Sequence, residues 1–468
     1  MVTYAFLALF VAMIGYFVYF QVFQADEVAN NTYNSRLDTF EEQVVRGQIL
    51  ASDGTVLAET IVDDDGEETR SYPYANMFAH IVGYSTRGRT GVESLANYYL
   101  LTSDAPAGEQ LVNDLQDQKN QGNNVVTTLD VDLQEAAYDA LGSYRGAVVV
   151  LEASTGKILA MVSKPDYNPE TINEDWTTLN DDDNDESALY NRATQGLYAP
   201  GSTFKIVTLL EYIRENEDYE DFSYYCTSSI TEDGYTINCY NNSAHGTETL
   251  SRAFAKSCNS AFASIGLTLD ADSFMETAEG LLFNSELPYS LSYSSSSFEI
   301  EDGETSAQQM MLAIGQGDTL VSPLHMAMIA CAIANDGVLM EPYVLDHVEN
   351  YLGTTVKKFY PSVYGSLMTS EEAEILTEYM LEVVETGTAS ALSDIGIEIA
   401  GKTGTAEYSS DKTKSHAWFV GFSDTGDDDI VVCVLVEEEG SGSEYAVPIA
   451  EEIFETWYVN KTMDDLVH

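Results

Sequence analysis

The stretch NRATQGLYAPGSTFKIVTLLEYI, residues 191–213, sets the turn formers Pro200 and Gly201 directly before Ser202 and follows them with an apolar periodicity of helical type. Ser202 is therefore expected to begin a helix. Lys205, three positions on, falls on the same helix face, which sets an amine beside a hydroxyl. The start of a helix also offers unpaired N–H groups and a positive dipole end, where an oxyanion can develop. A serine hydroxyl is a poor nucleophile at neutral pH and needs a base, and an amine serves as one only when burial or a second cation lowers its pKa. By itself the pair reads more simply as an N-cap serine and a solvated lysine. The same spacing recurs at Ser154/Lys157, in a hairpin turn, and at Ser409/Lys412, in a polar loop; neither leads into a helix.

Two further motifs change that weighing. Ser257-Cys258-Asn259, within a helical stretch or at a helix junction, presents a hydroxyl and an amide two residues apart, able to relay a proton and to hold a peptide amide. Alone, it is ordinary capping or turn chemistry. Lys402-Thr403-Gly404-Thr405 sits in the predicted strand IEIAGKTGTAEY, where glycine lets a ligand approach the backbone. Lys402 and Lys205 are two of only eleven lysines. A cation here would offset a substrate carboxylate, with Thr403 and Thr405 hydrogen-bonding to it; the plainer alternative is a charged edge strand.

The surrounding pattern is of α+β type. VVTTL at 125–129, an amphipathic helix near Val131 to Leu141, and the hairpin GAVVVLE/KILAMVS open the region. The acidic run NEDWTTLNDDDNDES, 173–187, is expected to be too polar to pack. Helical patterns dominate from Phe204 to about Ala334, notably LSRAFAKSCNSAFASIGL and SPLHMAMIACAIAN; strands return in HAWFVGFS and DIVVCVLVEE before a closing helix, PIAEEIFETWYV. Strands at both ends with helices between predict one sheet completed by distant segments, an antiparallel sheet flanked by helices plus an all-α part.

Three divisions are expected: an anchor at 1–24, a mainly β or irregular pedestal at 25–125, and the catalytic region at 126–468. Val2 to Phe23 is apolar and uncharged, and its 22 residues as a helix reach ~33 Å against a bilayer core of ~30 Å. Phe23 stands where a cleaved signal peptide needs a small residue, so an uncleaved anchor is expected, with the bulk of the chain outside the cytoplasm. In the pedestal, Arg46-Gly47-Gln48-Ile49, Asp53-Gly54 and Val56-Leu57-Ala58 pattern as two strands around a tight turn; Arg70-Ser71-Tyr72-Pro73 and Gly91-Val92-Glu93 carry no chemistry of their own.

Composition excludes other classes. Among 468 residues, 77 acidic against 20 basic side chains give a net charge of −57, which rules out ordinary nucleic-acid binding and implies a solvated, self-repelling surface. Five cysteines are too few for a disulfide framework. Cys226 and Cys239 bracket a polar hairpin, and a bridge there would close a loop of about 14 residues and contribute ~3 kcal/mol; two free thiols are the alternative. Cys331 and Cys433 lie in apolar runs as small core residues, and the six histidines show no metal spacing.

The order SxxK, SxN, KTG is the signature set of penicillin-binding proteins and class A β-lactamases, and the likeness is wider than the trio. NRATQGLYAPGSTFK, HGTETLSRAFAKSCNSAF, AIGQGDTLVSPLHMA, AIANDGV and GKTGTAEYSSDKTKSHAWFVGF resemble penicillin-binding transpeptidase segments in the family's order, over about residues 125–460. RGQI, RSYPYANMFAHIVGY and GVE resemble the pedestal of its class B-type, monofunctional members. The resemblance implies the penicillin-binding/serine β-lactamase-like fold and a peptidoglycan D,D-transpeptidase. Ser202 would attack the penultimate D-alanine carbonyl of a stem peptide, Lys205 would take its proton, and Ser257 would pass a proton to the leaving amine with Lys402 assisting. Asn259 would orient the substrate amide. The N–H groups of Ser202 and Thr405 would form the oxyanion hole, and Thr403, Gly404 and Thr405 would line the carboxylate site.

β-Lactams would trap the same serine, and no metal or cofactor is implied. The span between anchor and catalytic region is too short for the extra glycosyltransferase domain of bifunctional relatives, so polymerisation would need a partner, a multipass membrane glycosyltransferase of the elongation, division or sporulation type. The other readings are a D,D-carboxypeptidase, a serine β-lactamase, a β-lactam sensor, and a non-catalytic wall-assembly scaffold.

Overall fold

The β-rich runs at the two ends of the region meet in one sheet. The computed structural model describes residues 2–23, 36–181, 184, 186–300, 305–407, 414–426 and 429–467. In it, five antiparallel strands stand in the order Ile399–Glu407, Ser415–Ser423, Ile430–Val436, Gly146–Glu152, Ile158–Lys164. The Gly146–Glu152/Ile158–Lys164 hairpin is thus joined, at register Val149↔Cys433, to strands almost three hundred residues further on. Both central strands, Ile430–Val436 and Gly146–Glu152, are buried at every position, so both faces of the sheet are covered. The helix Pro323–Ala334, apolar but for His325, packs against it, as do the closing helix Gly442–Val467 and, beside the latter, Val131–Leu141.

Helices between the halves carry the rest of the core. LSRAFAKSCNSAFASIGL forms two helices, Leu250–Ala255 and Asn259–Gly266, broken at Ser257, whose φ of 55° lies in the left-handed region. At the break the Ser257 hydroxyl and the Asn259 amide turn away from the local backbone and bond to Lys205 instead. The acidic run is not wholly unpacked: Ile172–Leu179 is a helix that buries Ile172 and sets Trp176 edge-on to Tyr84 at 6.2 Å. Two apolar side chains one helical turn apart outweigh the carboxylates on its other face. Residues 182, 183 and 185 lie outside the described residues, as do 24–35, where the anchor would meet the pedestal.

The pedestal's sheet has six strands in the order Thr355–Lys358, Leu345–Glu349, Asn124–Thr127, Ile49–Leu50, Val56–Val62, Glu68–Ser71. Two of them come from far beyond residue 125, so the sheet crosses the division expected there. The segments without apparent chemistry meet at one carboxylate. Glu93, fully buried, takes Arg46 on one carboxylate oxygen and Arg70 on the other at 2.7 Å, with the Tyr72 hydroxyl 3.2 Å away. Burial alone would raise its pKa, but the two guanidinium groups outweigh that and hold it below the ordinary value. A carboxylate central to two buried cations is costly to remove, because both are left uncompensated.

At the N-terminus, Val2–Phe23 is one helix, and Thr3–Phe20 within it is long and apolar enough to cross a membrane, with none of that window buried in the protein. Glu93→Ala is expected to destabilise the pedestal by about 3–5 kcal/mol, measured as a fall in the urea midpoint at unchanged m-value.

Candidate active site

Tyr198-Ala199-Pro200-Gly201 turns the chain tightly, with Tyr198 bridged to Val321 and the Gly201 N–H donating to Gly315 O at 2.9 Å. Gly201–Phe204 then forms a single 3-10 turn, and the α-helix proper starts at Lys205. Ser202 thus stands one turn earlier than a helix-initiating residue, and i and i+3 nearly eclipse in that geometry. Gly201 has φ +53°, and a Cβ there would fall 2.5 Å from Thr405 O. A Cβ on Gly404 would meet Pro200 O at 2.9 Å and the Thr203 methyl at 3.0 Å. The serine turn therefore lies directly on the backbone of the Ile399–Glu407 strand, and glycine on both sides permits the approach. Trp418 ties the turn from the neighbouring strand, its Nε1 donating to Ala199 O at 3.1 Å.

Lys205 and Lys402 are wholly buried, and among the described residues neither has a carboxylate partner. Lys205 Nζ donates to Ser257 O at 2.9 Å, to Ser257 Oγ at 3.2 Å and to Asn259 Oδ1 at 2.7 Å. Lys402 Nζ reaches the same Ser257 Oγ at 3.0 Å and its neighbour Thr403 O at 3.0 Å. One serine hydroxyl thus accepts from both ammonium groups, and left-handed backbone at Ser257 presents its carbonyl and hydroxyl together. Aromatic faces complete the two cages: Phe262 lies 5.4 Å from Lys205 Nζ and Phe254 5.4 Å from Lys402 Nζ.

Desolvation lowers both amines. Burial brings Lys205 down to about 8, with the nearby sulfurs of Cys258 and Cys239 opposing the shift. Burial also drives Lys402 well below its ordinary value, and the charge of Lys205 adds to the effect. Two cations this close do not titrate separately.

Of the residues singled out in the sequence, Lys205, Ser257, Asn259 and Lys402 form one hydrogen-bonded network. Ser202, Gly404 and Thr405 adjoin it through the turn-to-strand contact. Lys205 is bonded to the Ser257 and Asn259 groups rather than to Ser202 Oγ among the described residues. Thr403 Oγ1 shares a hydrogen bond of 2.5 Å with Thr388 Oγ1. Of the competing serine–lysine spacings, Lys157 pairs with Glu152 at a hairpin turn, and Ser409/Lys412 lies outside the described residues. Cys226 and Cys239 are separate thiols, their Sγ atoms 3.7 Å apart.

Sequence reasoning missed Thr388, and it missed Asn238, whose carbonyl holds Asn259 Nδ2 at 3.0 Å. It also missed Glu437, which receives Arg192 Nε at 2.9 Å and the Tyr198 hydroxyl at 2.7 Å behind the serine turn. The TGT at 386–388 is too generic to mark a site, but a carboxylate directly after the apolar run VLV was a usable signal for Glu437.

A serine turn at the edge of an antiparallel sheet, with two buried lysines joined through one serine, has the make-up of a serine acyl-transfer domain. Family models agree: the penicillin binding protein transpeptidase domain matches residues 146–455, and the penicillin binding protein A dimerisation domain matches residues 46–125. The peptidoglycan D,D-transpeptidase PbpA of Mycolicibacterium smegmatis is 32% identical over 96% of each chain. The ceftriaxone acyl-enzyme of penicillin-binding protein A from M. tuberculosis superposes with TM-score 0.80 at 31% identity, covering 90% of this chain and 99% of that one. The D,D-transpeptidase domain of a peptidoglycan glycosyltransferase from Eggerthella lenta does so at 0.79 and 32%, covering 89% and 99%. The chain belongs to the penicillin-binding protein transpeptidase family, in its class B form.

Gly404→Ala forces the serine turn off the strand, and overpacking of this kind costs about 1–3 kcal/mol. It is expected to lower the melting temperature and slow acylation by fluorescent penicillin, both readable on one purified sample.

Proposed function

We propose that this chain is a peptidoglycan D,D-transpeptidase that works through an acyl-enzyme on Ser202, and that β-lactams inhibit it at the same atom. The observation that carries this is the Ser257 hydroxyl placed between Lys205 and Lys402 beside the Ser202 turn. In its deprotonated form Lys205 takes the Ser202 proton as Oγ bonds to the penultimate D-alanine carbonyl carbon. The oxyanion sits between the N–H groups of Ser202 and Thr405. Collapse breaks the C–N bond, and Ser257, supplied from the lysines, protonates the departing terminal D-alanine. An acceptor amine from a second stem peptide then attacks the ester, forming the cross-link and returning the proton to Ser202. Asn259 orients the donor peptide's amide, while Thr403, Gly404 and Thr405 with Lys402 receive its carboxylate. In a β-lactam the nitrogen released by C–N cleavage stays attached through the rest of the opened ring, so it does not depart and the acyl group blocks the acceptor.

The Ile399–Glu407 strand is the sheet's edge, and an extended peptide lying along it would add backbone hydrogen bonds to the side-chain contacts. We read the chain as three parts, an anchor at 1–24, a pedestal at 25–125 and a catalytic region at 126–468, with a single membrane pass and the catalytic region outside the cytoplasm, where peptidoglycan lies. A multipass membrane glycosyltransferase would supply the glycan strands.

Ser202→Ala is expected to abolish covalent labelling by fluorescent penicillin with circular dichroism and melting unchanged; undiminished labelling of the variant would refute the assignment. Because the base must lose its proton, second-order acylation should rise with pH to an inflection near 8, not near the ordinary lysine value of 10.5. A rate flat from pH 6 to 10 would remove Lys205 from that role.

A further inference from the structure

Beside the serine–asparagine turn, outside the catalytic network, four side chains converge. Cys226 ends the strand Ser223–Cys226, and Cys239 follows the hairpin Ser229–Glu232/Tyr235–Asn238. His245 precedes the strand Gly246–Thr249, and Cys258 caps the helix Asn259–Gly266. In sequence this is C-x12-C-x5-H-x12-C. One donor atom from each lies within 4.8 Å of the other three. Cys226 Sγ is 3.7 Å from Cys239 Sγ and 3.4 Å from His245 Nδ1, and Cys239 Sγ is 3.8 Å from Cys258 Sγ.

These three separations match edges of a tetrahedron of a particular size. Sulfurs bound at ~2.3 Å to a tetrahedral zinc stand ~3.8 Å apart, and a sulfur and an imidazole nitrogen at ~2.0–2.1 Å stand ~3.5 Å apart. A disulfide draws two sulfurs to ~2.05 Å and gives no reason for a third thiol and an imidazole to close on the same point. Three buried sulfurs and one nitrogen, with no carboxylate among them, form a donor set that selects zinc over oxygen-seeking cations. The surroundings suit thiolates: Ser260 Oγ donates to Cys226 Sγ at 3.1 Å and lies 3.4 Å from both Cys239 Sγ and Cys258 Sγ. Cys258 also stands at a helix N-terminus, where negative charge is favoured.

We propose that Cys226, Cys239, His245 and Cys258 are the ligands of one structural zinc ion that fixes the Ser257-Cys258-Asn259 turn. Cys258 separates the two residues that hold Lys205. Cys239 follows Asn238, whose carbonyl holds Asn259. A metal binding both sulfurs clamps the turn from two sides and staples two short two-stranded sheets, Ser223–Cys226/Gly246–Thr249 and Ser229–Glu232/Tyr235–Asn238, to the helix behind it. Three thiolates on a dication leave one net negative charge beside the buried lysines. The six histidines show no metal spacing on their own; the signal lies in one histidine placed among three of the five cysteines.

The test uses the full chain in detergent, purified without chelator. Elemental analysis should give one zinc per chain. After chelation under reducing conditions, titration with Co²⁺ alone should produce the thiolate-to-cobalt charge-transfer and tetrahedral ligand-field bands, saturating at one equivalent and displaced by Zn²⁺, and chelation should lower the melting temperature by several degrees. Cys226→Ser and His245→Ala should each weaken Co²⁺ at least tenfold, while Cys433→Ser should not. If the variants fail to fold, the wild-type cobalt spectrum decides alone. Protein isolated without zinc and with two of these sulfurs in a disulfide overturns the proposal whatever the reduced form binds. So does a reduced wild type that gives no cobalt bands, or variants that bind like the wild type.

Discussion

The catalytic region is organised around the burial of two ammonium groups with no carboxylate among the described residues to offset them. Such burial is costly, and the fold lowers the cost by directing neutral oxygens at both: the Ser257 hydroxyl and carbonyl, the Asn259 amide oxygen and the Thr403 carbonyl. Those four acceptors come from a helix junction and a sheet edge 145 residues apart. The network closes only when the helical middle and the terminal sheet are both in place. Reactivity and tertiary structure therefore rest on one set of contacts. The same desolvation that makes the lysines expensive makes one of them basic in its free form near neutral pH.

Much of this was legible in the residues. The alternating and continuous apolar runs of Gly146–Glu152, Ser415–Ser423 and Ile430–Val436 specify strands, and the Pro200-Gly201 turn before an apolar helix marks Ser202 as different from Ser154. Less legible was what depends on distant partners. Arg46, Arg70 and Glu93 look like unrelated surface charges until the chain folds and one carboxylate takes both arginines. The break at Ser257 is invisible to periodicity, because apolar positions continue through it at helical spacing; the left-handed residue there bonds to Lys205 and Lys402, which are distant in sequence. Ile172 and Trp176 were outvoted by surrounding carboxylates in a compositional reading, although two anchoring side chains are enough to hold a short helix.

Glycine acts here as a spacer between chains more than as a hinge. Gly201 and Gly404 lie at the contact between the serine turn and the edge strand, and the separation of the two is set by the absence of two methyl groups. Proximity of this kind leaves no adjustable side chain to absorb an error in how the Ser202 turn meets the strand.

The strands Leu345–Glu349 and Thr355–Lys358 leave the catalytic region, complete the six-stranded sheet of the pedestal and return. Severing the polypeptide after residue 125 would strip Leu345–Glu349 of two of its four partners on one side, those of Val348 and Glu349, and expose an adhesive edge. The two regions are thus welded, not hinged: a push on the pedestal is transmitted through the hydrogen-bond ladder between Asn124–Thr127 and Leu345–Glu349, with no slack linker to dissipate it.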